Sequence, residues 1–290
     1  NSWYNFYNQL LEAAYFTSKE EDPTTYKEVL KHPNKLDYLR AMELELNNLI
    51  KNNTWTLVSR PKSQPVLKGR WVLNKKYKAN GTLDKYKARW VVKGFLQKYG
   101  INYKETFANN TKPSTYRLLL AIAAYLDWEI YQWDIKQAFP NAPIDTVIYV
   151  EQPVGFIKEE NKDLVCLLNK ALYGLKQSAR QWQQYLTNIL VKYGFKSLIS
   201  DTAVFINKDK PIILAIHVDD ILVFAKNTSY IDELYNQLVD AKLEVSNLGE
   251  ARDFLGIEII RNRQNKALTI TQRGFINKIL NKYNKTSVRK

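Results

Sequence analysis

The sequence is short of the residues from which compact metal and nucleophile sites are usually built. Its 290 residues include one cysteine, Cys166, and two histidines, His32 and His217. A single cysteine excludes a disulfide framework, and within Leu164-Val165-Cys166-Leu167-Leu168 it reads as a small buried apolar residue. Two histidines leave almost no material for zinc clusters or a histidine-based triad, so a metal bound here takes oxygen ligands. No apolar run approaches the roughly 20 residues that span a bilayer, and the start, Asn1-Ser2-Trp3-Tyr4, lacks a basic-then-apolar signal pattern. A soluble intracellular chain with no membrane partner is expected. The first residue is not methionine, which suggests a piece of a longer chain. The absence of a glycine-rich phosphate loop of dinucleotide or Walker type disfavours a cofactor-dependent oxidoreductase or an ATPase.

What is present is apolar material and positive charge. A hydrophobic fraction of 45% with 25% charged residues suits a folded chain with a core. Its length fits two domains of roughly 100 to 200 residues, or one split domain. The net charge is +14, and it is concentrated: from Lys62 to Lys104 there are twelve Lys or Arg against one acid, Asp84. Trp71, Tyr77, Tyr86 and Trp90 are interleaved with these cations, a mixture suited to a polyanion with stackable bases. A merely solvated charged hairpin would look similar.

Leu39, Met42, Leu46 and Leu49 predict a helix over 38–52. Arg70–Lys75 and Tyr86–Val92 flank Asn80-Gly81 and predict a basic β-hairpin. Ser114 is expected to cap a helix through Arg117–Ala124, apolar on nearly every side and therefore buried behind a sheet. Glu129–Ile135 alternates as a strand with Ile130, Gln132 and Asp134 on one face. From Ser178 a helix carries Trp182, Leu186, Ile189, Leu190 and Tyr193 on one stripe, ends at Gly194, and turns Arg180, Gln181, Gln183 and Gln184 outward. Ile212–Ala225 reads as a hairpin with its turn at His217-Val218-Asp219-Asp220. A helix follows near Ile231–Lys242, Phe254–Ile259 reads as one strand, and Arg273–Lys285 as a helix. This order fits an α+β layout better than regular βαβ alternation.

Asp219 and Asp220 are two adjacent carboxylates inside an apolar run, where desolvation costs several kcal/mol unless a positive partner offsets it. A divalent cation is the simplest partner. A tight turn would let both acids approach one site, and a third carboxylate such as Asp134 would close it. Oxygen-only ligation points to Mg²⁺ or Mn²⁺. A polar hairpin turn with no metal also explains Asp-Asp on spacing alone.

Six segments occur in a telling order. They are Asn53-Thr54-Trp55-Thr56-Leu57-Val58; Gly69-Arg70-Trp71-Val72 with Tyr86–Phe95; Trp133-Asp134-Ile135-Lys136-Gln137-Ala138-Phe139; Leu172-Tyr173-Gly174-Leu175-Lys176-Gln177-Ser178; His217-Val218-Asp219-Asp220; and Phe254-Leu255-Gly256-Ile257-Glu258-Ile259. From about Tyr26 to Tyr283 the chain closely resembles the reverse transcriptase of copia-type long-terminal-repeat retrotransposons.

The resemblance implies a right-hand polymerase fold, with fingers, a palm built on an antiparallel sheet and a truncated thumb. N-terminal helices and fingers would occupy 1–125, palm 126–150, returning fingers 151–177, palm again 178–262 and the start of the thumb 263–290. It implies an RNA-directed DNA polymerase that extends a primer with deoxynucleoside triphosphates on an RNA or DNA template. Asp134 and Asp219 would be the principal metal ligands, with Asp220 supporting and the Ile135 carbonyl helping. Lys87, Arg89, Tyr173 and Gly174 would bind nucleotide, with Lys75, Lys76 and Lys78 rival candidates for the triphosphate, and Phe139 would select the deoxy sugar. Lys75, Lys76, Lys78, His217, Leu255 and Gly256 would face template and primer. The expected setting is a Gag-Pol polyprotein that also supplies protease, integrase and RNase H, in a cytoplasmic virus-like particle, with passage into the nucleus left open. Two departures stand out: Asn109-Asn110-Thr111 where the family has proline and small apolar residues, and His217 where tyrosine is commoner. An inactive or repurposed nucleic-acid-binding remnant of such an element is the rival expectation.

Overall fold

A computed structural model describes residues 21–77 and 82–283. The chain opens with α1 (Tyr26–Lys31) and α2 (Lys35–Lys51), then β1 (Trp55–Ser59), β2 (Val66–Leu67), β3 (Gly69–Tyr77) and β4 (Leu83–Val92). There follow α3 (Pro113–Tyr125), β5 (Glu129–Ile135), the one-turn α4 (Ala138–Asn141), β6 (Tyr149–Val150), β7 (Leu164–Leu168) and α5 (Ser178–Lys192). The remainder is β8 (Phe195–Ser197), β9 (Val204–Asn207), β10 (Ile212–His217), β11 (Asp220–Ala225), α6 (Thr228–Asp240), β12 (Val245–Glu250), β13 (Asp253–Phe254), β14 (Ile257–Asn262), β15 (Ala267–Thr271) and α7 (Arg273–Lys282). The α+β layout stands.

The central sheet has six strands in the order β12-β5-β11-β10-β9-β8, every neighbouring pair antiparallel. Its alternation sends apolar side chains to both faces. Trp133, Ile135, Leu214, Ile216, Ile221 and Val223 meet α5 and α6 on one side, where Trp182, Leu186, Leu190, Ile231, Leu234 and Leu238 close a core. Ile130, Ala215, Leu222 and Phe224 meet Tyr116, Leu119, Leu120 and Ala123 of α3 on the other. Each fully buried Leu or Ile contributes on the order of 1.5–3 kcal/mol. Sandwiched in this way, the acid-bearing strand ends have a rigid base.

A second core gathers α2, the β3-β4 hairpin, and a four-stranded sheet in the order β1-β7-β6-β2. The two parts are stitched where the segment 172–175 meets the end of β4. Val92 N–H donates to the Tyr173 carbonyl at 2.8 Å. Gly174 lies at φ +91, and a Cβ on it would sit 2.1 Å from the Val92 carbonyl oxygen; one on Gly94 would sit 1.9 Å from the Gly174 oxygen. Only glycine permits that approach.

Several expectations need correction. The stripe of α2 that is buried runs through Tyr38, Met42, Glu45 and Leu49, while Leu39 and Leu46 are only partly covered. Helix α3 is capped at Lys112 with Pro113 in its first turn, so Ser114 lies inside it; proline's fixed φ suits that first position. Its outer side is open, with Leu118 59% exposed, because only one face of α3 reaches the sheet. Gln181 is buried rather than outward. Phe254–Ile259 is two strands joined by Leu255 and Gly256, both at positive φ, making a two-residue turn. The Asn80-Gly81 turn lies outside the described residues, although β3 and β4 pair from Gly69↔Val92 to Tyr77↔Leu83. Cys166 is buried as expected. Among the described residues no helix is long and apolar enough to cross a membrane.

Candidate active site

Strands β10 and β11 pair down to His217↔Asp220, leaving Val218 and Asp219 as a two-residue turn. Val218 takes φ +57, a costly conformation for a β-branched residue. Two hydrogen bonds hold it there. Trp182 Nε1 donates to the Val218 carbonyl at 2.7 Å, and Ile135 N–H donates to the Asp219 carbonyl at 2.8 Å. Trp182 reads in the sequence only as a core residue; its second role comes from a contact 36 residues away.

Asp220 pairs directly with Asp134 across the strands, so Asp134, Asp219 and Asp220 gather at one end of the sheet. They line an open cavity of about 640 Å³ together with Ile135, Lys85, Lys87, Arg89, Tyr173 and Glu45. The acids feel one another. Asp220 is pushed up to about 6, first by burial and then by Asp219 and Asp134, and Asp134 is raised by burial and by Asp219. Opposite them, burial and the neighbouring Arg89 lower the Lys87 pKa.

The remaining sequence-derived residues divide by position. Phe139 does not line the cavity; its ring stacks at 4.9 Å on Tyr173, which does, and the Arg89 guanidinium lies 4.9 Å from the Tyr173 centroid. Gly174 joins Tyr173 to β4. Lys75 and Lys76 lie on β3 outside the cavity lining, Lys76 opposite Lys85, and Lys78 falls outside the described residues. His217 ends β10 with a buried Nδ1 that has no hydrogen-bond partner, and Leu255-Gly256 form the β13-β14 turn; none of the three lines the cavity. The unusual Asn109-Asn110-Thr111 segment is a strap: Thr111 N–H and Oγ1 both reach the Ile216 carbonyl, at 3.0 and 2.8 Å, tying α3's approach to the acidic hairpin.

Sequence reasoning missed Lys85 and Glu45. Lys85 was within reach, because Lys85, Lys87 and Arg89 alternate along β4 and so share a face. Glu45 carried no comparable signal.

Among the described residues no three His, Cys, Asp or Glu side chains close around a point as a finished metal site. The donors nevertheless suit a hard divalent cation: three carboxylates, mutually repelling, half-buried, and in one cavity. Burial, with this repulsion added, has a measurable consequence. A raised carboxyl pKa means that the folded chain binds the proton more tightly than the unfolded one. The associated stability is therefore full below about pH 4 and lost as pH rises through about 6. Asp220→Asn should accordingly be more stable than the parent at pH 8, by on the order of 1 kcal/mol once solvent screening of a half-exposed group is allowed for, with the gap closing toward pH 4. Denaturant melts at the two pH values measure it, and equal stability at pH 8 would refute the upward shift at Asp220.

Carboxylates at adjacent strand ends share one open cavity with lysine and arginine. The sequence pattern described as Reverse transcriptase (RNA-dependent DNA polymerase) matches residues 52–290. The chain is 38% identical over 270 residues to the Retrovirus-related Pol polyprotein from transposon TNT 1-94 of Nicotiana tabacum, covering 92% of this chain and 20% of that protein. It is 36% identical over 280 residues to the corresponding polyprotein from transposon RE1 of Arabidopsis thaliana, covering 96% and 19%. A Ty1-BL Gag-Pol polyprotein of Saccharomyces cerevisiae is 29% identical over 262 residues, covering 84% and 14%. The chain belongs to the reverse transcriptase (RNA-dependent DNA polymerase) family, and its plant relatives are Pol polyproteins of copia-type transposons. It spans about a fifth of the length of those plant relatives.

Proposed function

We propose that this chain is the polymerase of a copia-type element, adding deoxynucleotides to a primer on an RNA or DNA template. The observation that carries this reading is the gathering of Asp134, Asp219 and Asp220 in one cavity with Lys87 and Arg89. In the reaction the primer 3′-oxygen bonds to the α-phosphorus of the incoming triphosphate. The bond from that phosphorus to the bridging oxygen breaks, pyrophosphate departs, and the hydroxyl proton passes to solvent. Asp134 and Asp219, aided by Asp220 and the Ile135 carbonyl, would hold two divalent ions, Mg²⁺ or Mn²⁺. When bound, such ions favour ionisation of the 3′-hydroxyl and offset the charge of the leaving group.

The chain's own groups do the rest. Lys85, Lys87 and Arg89 line the cavity where triphosphate charge would lie, and cations there are worth most as charge moves onto pyrophosphate. Tyr173, with Phe139 behind it, presents a flat wall to the sugar. On this reading the six-stranded sheet is the palm and the β3-β4 hairpin belongs to the fingers, with residues from 263 beginning the thumb. Lys75, Lys76, Lys78, His217, Leu255 and Gly256 would then face template and primer. Protease, integrase and RNase H would come from elsewhere in the polyprotein, within a virus-like particle. Primer extension on an RNA template with Mg²⁺ and deoxynucleotides tests the proposal. A chain that binds primed template but adds no nucleotide would instead be a binding remnant.

A further inference from the structure

The middle of α2 carries a carboxyl group where the helix's own pattern calls for an apolar side chain. Tyr38, Met42 and Leu49 are fully buried on the stripe facing β4, and Glu45 completes that stripe at 7% exposure. A charged carboxylate there is disfavoured unless it is fully paired, whereas leucine would fill the space without that penalty. Glu45 is only half paired. Its Oε2 accepts from Gln137 Nε2 at 3.0 Å, and its Oε1 has no hydrogen-bond partner. Burial raises its pKa, while Gln137, the Trp90 backbone, Arg89 and Lys87 act in the opposite sense. Apolar packing gives no reason for an acid at this position; the polar groups around it do.

Gln137 is equally out of the ordinary. It stands at φ +53 and ψ 40, a left-handed conformation that disfavours any residue with a side chain. It falls between Asp134, at the end of β5, and Phe139, in α4. Whatever holds Gln137 sets the angle between the acid-bearing strand and the ring that backs Tyr173. Its side chain reaches Glu45, and both residues line the cavity with Lys87, Arg89 and Tyr173. Helix α2 meanwhile packs on β4, the strand that carries Lys87 and Arg89.

We propose that Glu45 is a positioning residue of the nucleotide pocket. Through its hydrogen bond to Gln137 it holds the left-handed turn between Asp134 and Phe139, and it ties that turn to the helix supporting Lys87 and Arg89. One carboxyl thereby links the acidic end of the sheet, the sugar-facing stack and the cationic strand. The role rests on reading the cavity as a nucleotide pocket, and Glu45 itself need not touch the nucleotide.

Two substitutions separate this role from a packing role. Glu45→Gln keeps an oxygen that can accept from Gln137, whereas Glu45→Leu removes it and completes the apolar stripe. Equilibrium binding of dGTP to the whole chain with Mg²⁺ should weaken about tenfold in the leucine variant and stay within about twofold of the parent in the glutamine variant. In primer extension the loss should fall on KM for the nucleotide, with kcat changed less than about threefold. Glu45→Leu binding dGTP as tightly as the parent would overturn the proposal. If that variant does not melt cooperatively, Gln137→Met removes the donor from the other side, and unchanged dGTP affinity there would overturn it equally. A parent chain that binds dGTP but extends no primer counts against the polymerase reading and leaves the Glu45 comparison intact.

Discussion

Asp219→Asn is expected to stop nucleotide incorporation, lowering its rate by about a thousandfold or more, in a chain that folds as well as the parent. The backbone of the turn does not depend on the Asp219 carboxylate. Ile135 N–H binds the Asp219 main-chain carbonyl and Trp182 binds that of Val218, and asparagine leaves both bonds in place. The carboxylate itself raises the pKa of both Asp134 and Asp220, so its neutralisation relieves repulsion. Catalysis should thus be lost while stability holds or rises, a combination that unfolding cannot mimic. Single-nucleotide incorporation on a primed RNA, measured beside a thermal melt, reads both quantities. A rate within about tenfold of the parent would remove Asp219 from the chemistry.

That the acids were legible at all follows from their setting. Two carboxylates in an otherwise apolar strand pair, Ile212–Ala225, break a pattern that desolvation enforces, and the break is local. The same holds for β3 and β4, whose alternation and turn residues lie within a few positions of one another. Other features depend on contacts that no local pattern carries. Strand β1 pairs with β7 from Trp55↔Leu168 to Ser59↔Leu164, across more than a hundred residues, and its sheet was not foreseen. Helix α2 offers two stripes one position apart, through Leu39 and Leu46 or through Tyr38 and Glu45; helical spacing of apolar residues picks out the first because glutamate interrupts the second. The fold buries the second, and the acid that misled the pattern is the one facing Gln137. In the same way the apolar composition of α3 predicts burial all round, while the sheet covers only the face of Tyr116, Leu119, Leu120 and Ala123.

Phe139→Ala is expected to admit ribonucleotides, reducing the preference for deoxynucleotides by about 10- to 200-fold, the range over which shape alone discriminates. The route to that effect differs from the one the motif position suggests. Phe139 lies behind Tyr173, centroid to centroid at 4.9 Å and tilted by 56°, and Tyr173 is the ring on the cavity wall. Burial pushes the Tyr173 hydroxyl up to about 12, and the Arg89 guanidinium lies over its ring. Deleting the Phe139 ring leaves a space into which Tyr173 can fall back, and the room for a 2′-hydroxyl appears at Tyr173. Tyr173→Ala should therefore relax sugar selection at least as far as Phe139→Ala, while Tyr173→Phe, which keeps the ring, should change it by less than about threefold. Competition between dCTP and CTP on one primed template measures all three. If Phe139→Ala relaxes selection and Tyr173→Ala does not, Phe139 meets the sugar itself and the stacked arrangement is not the gate.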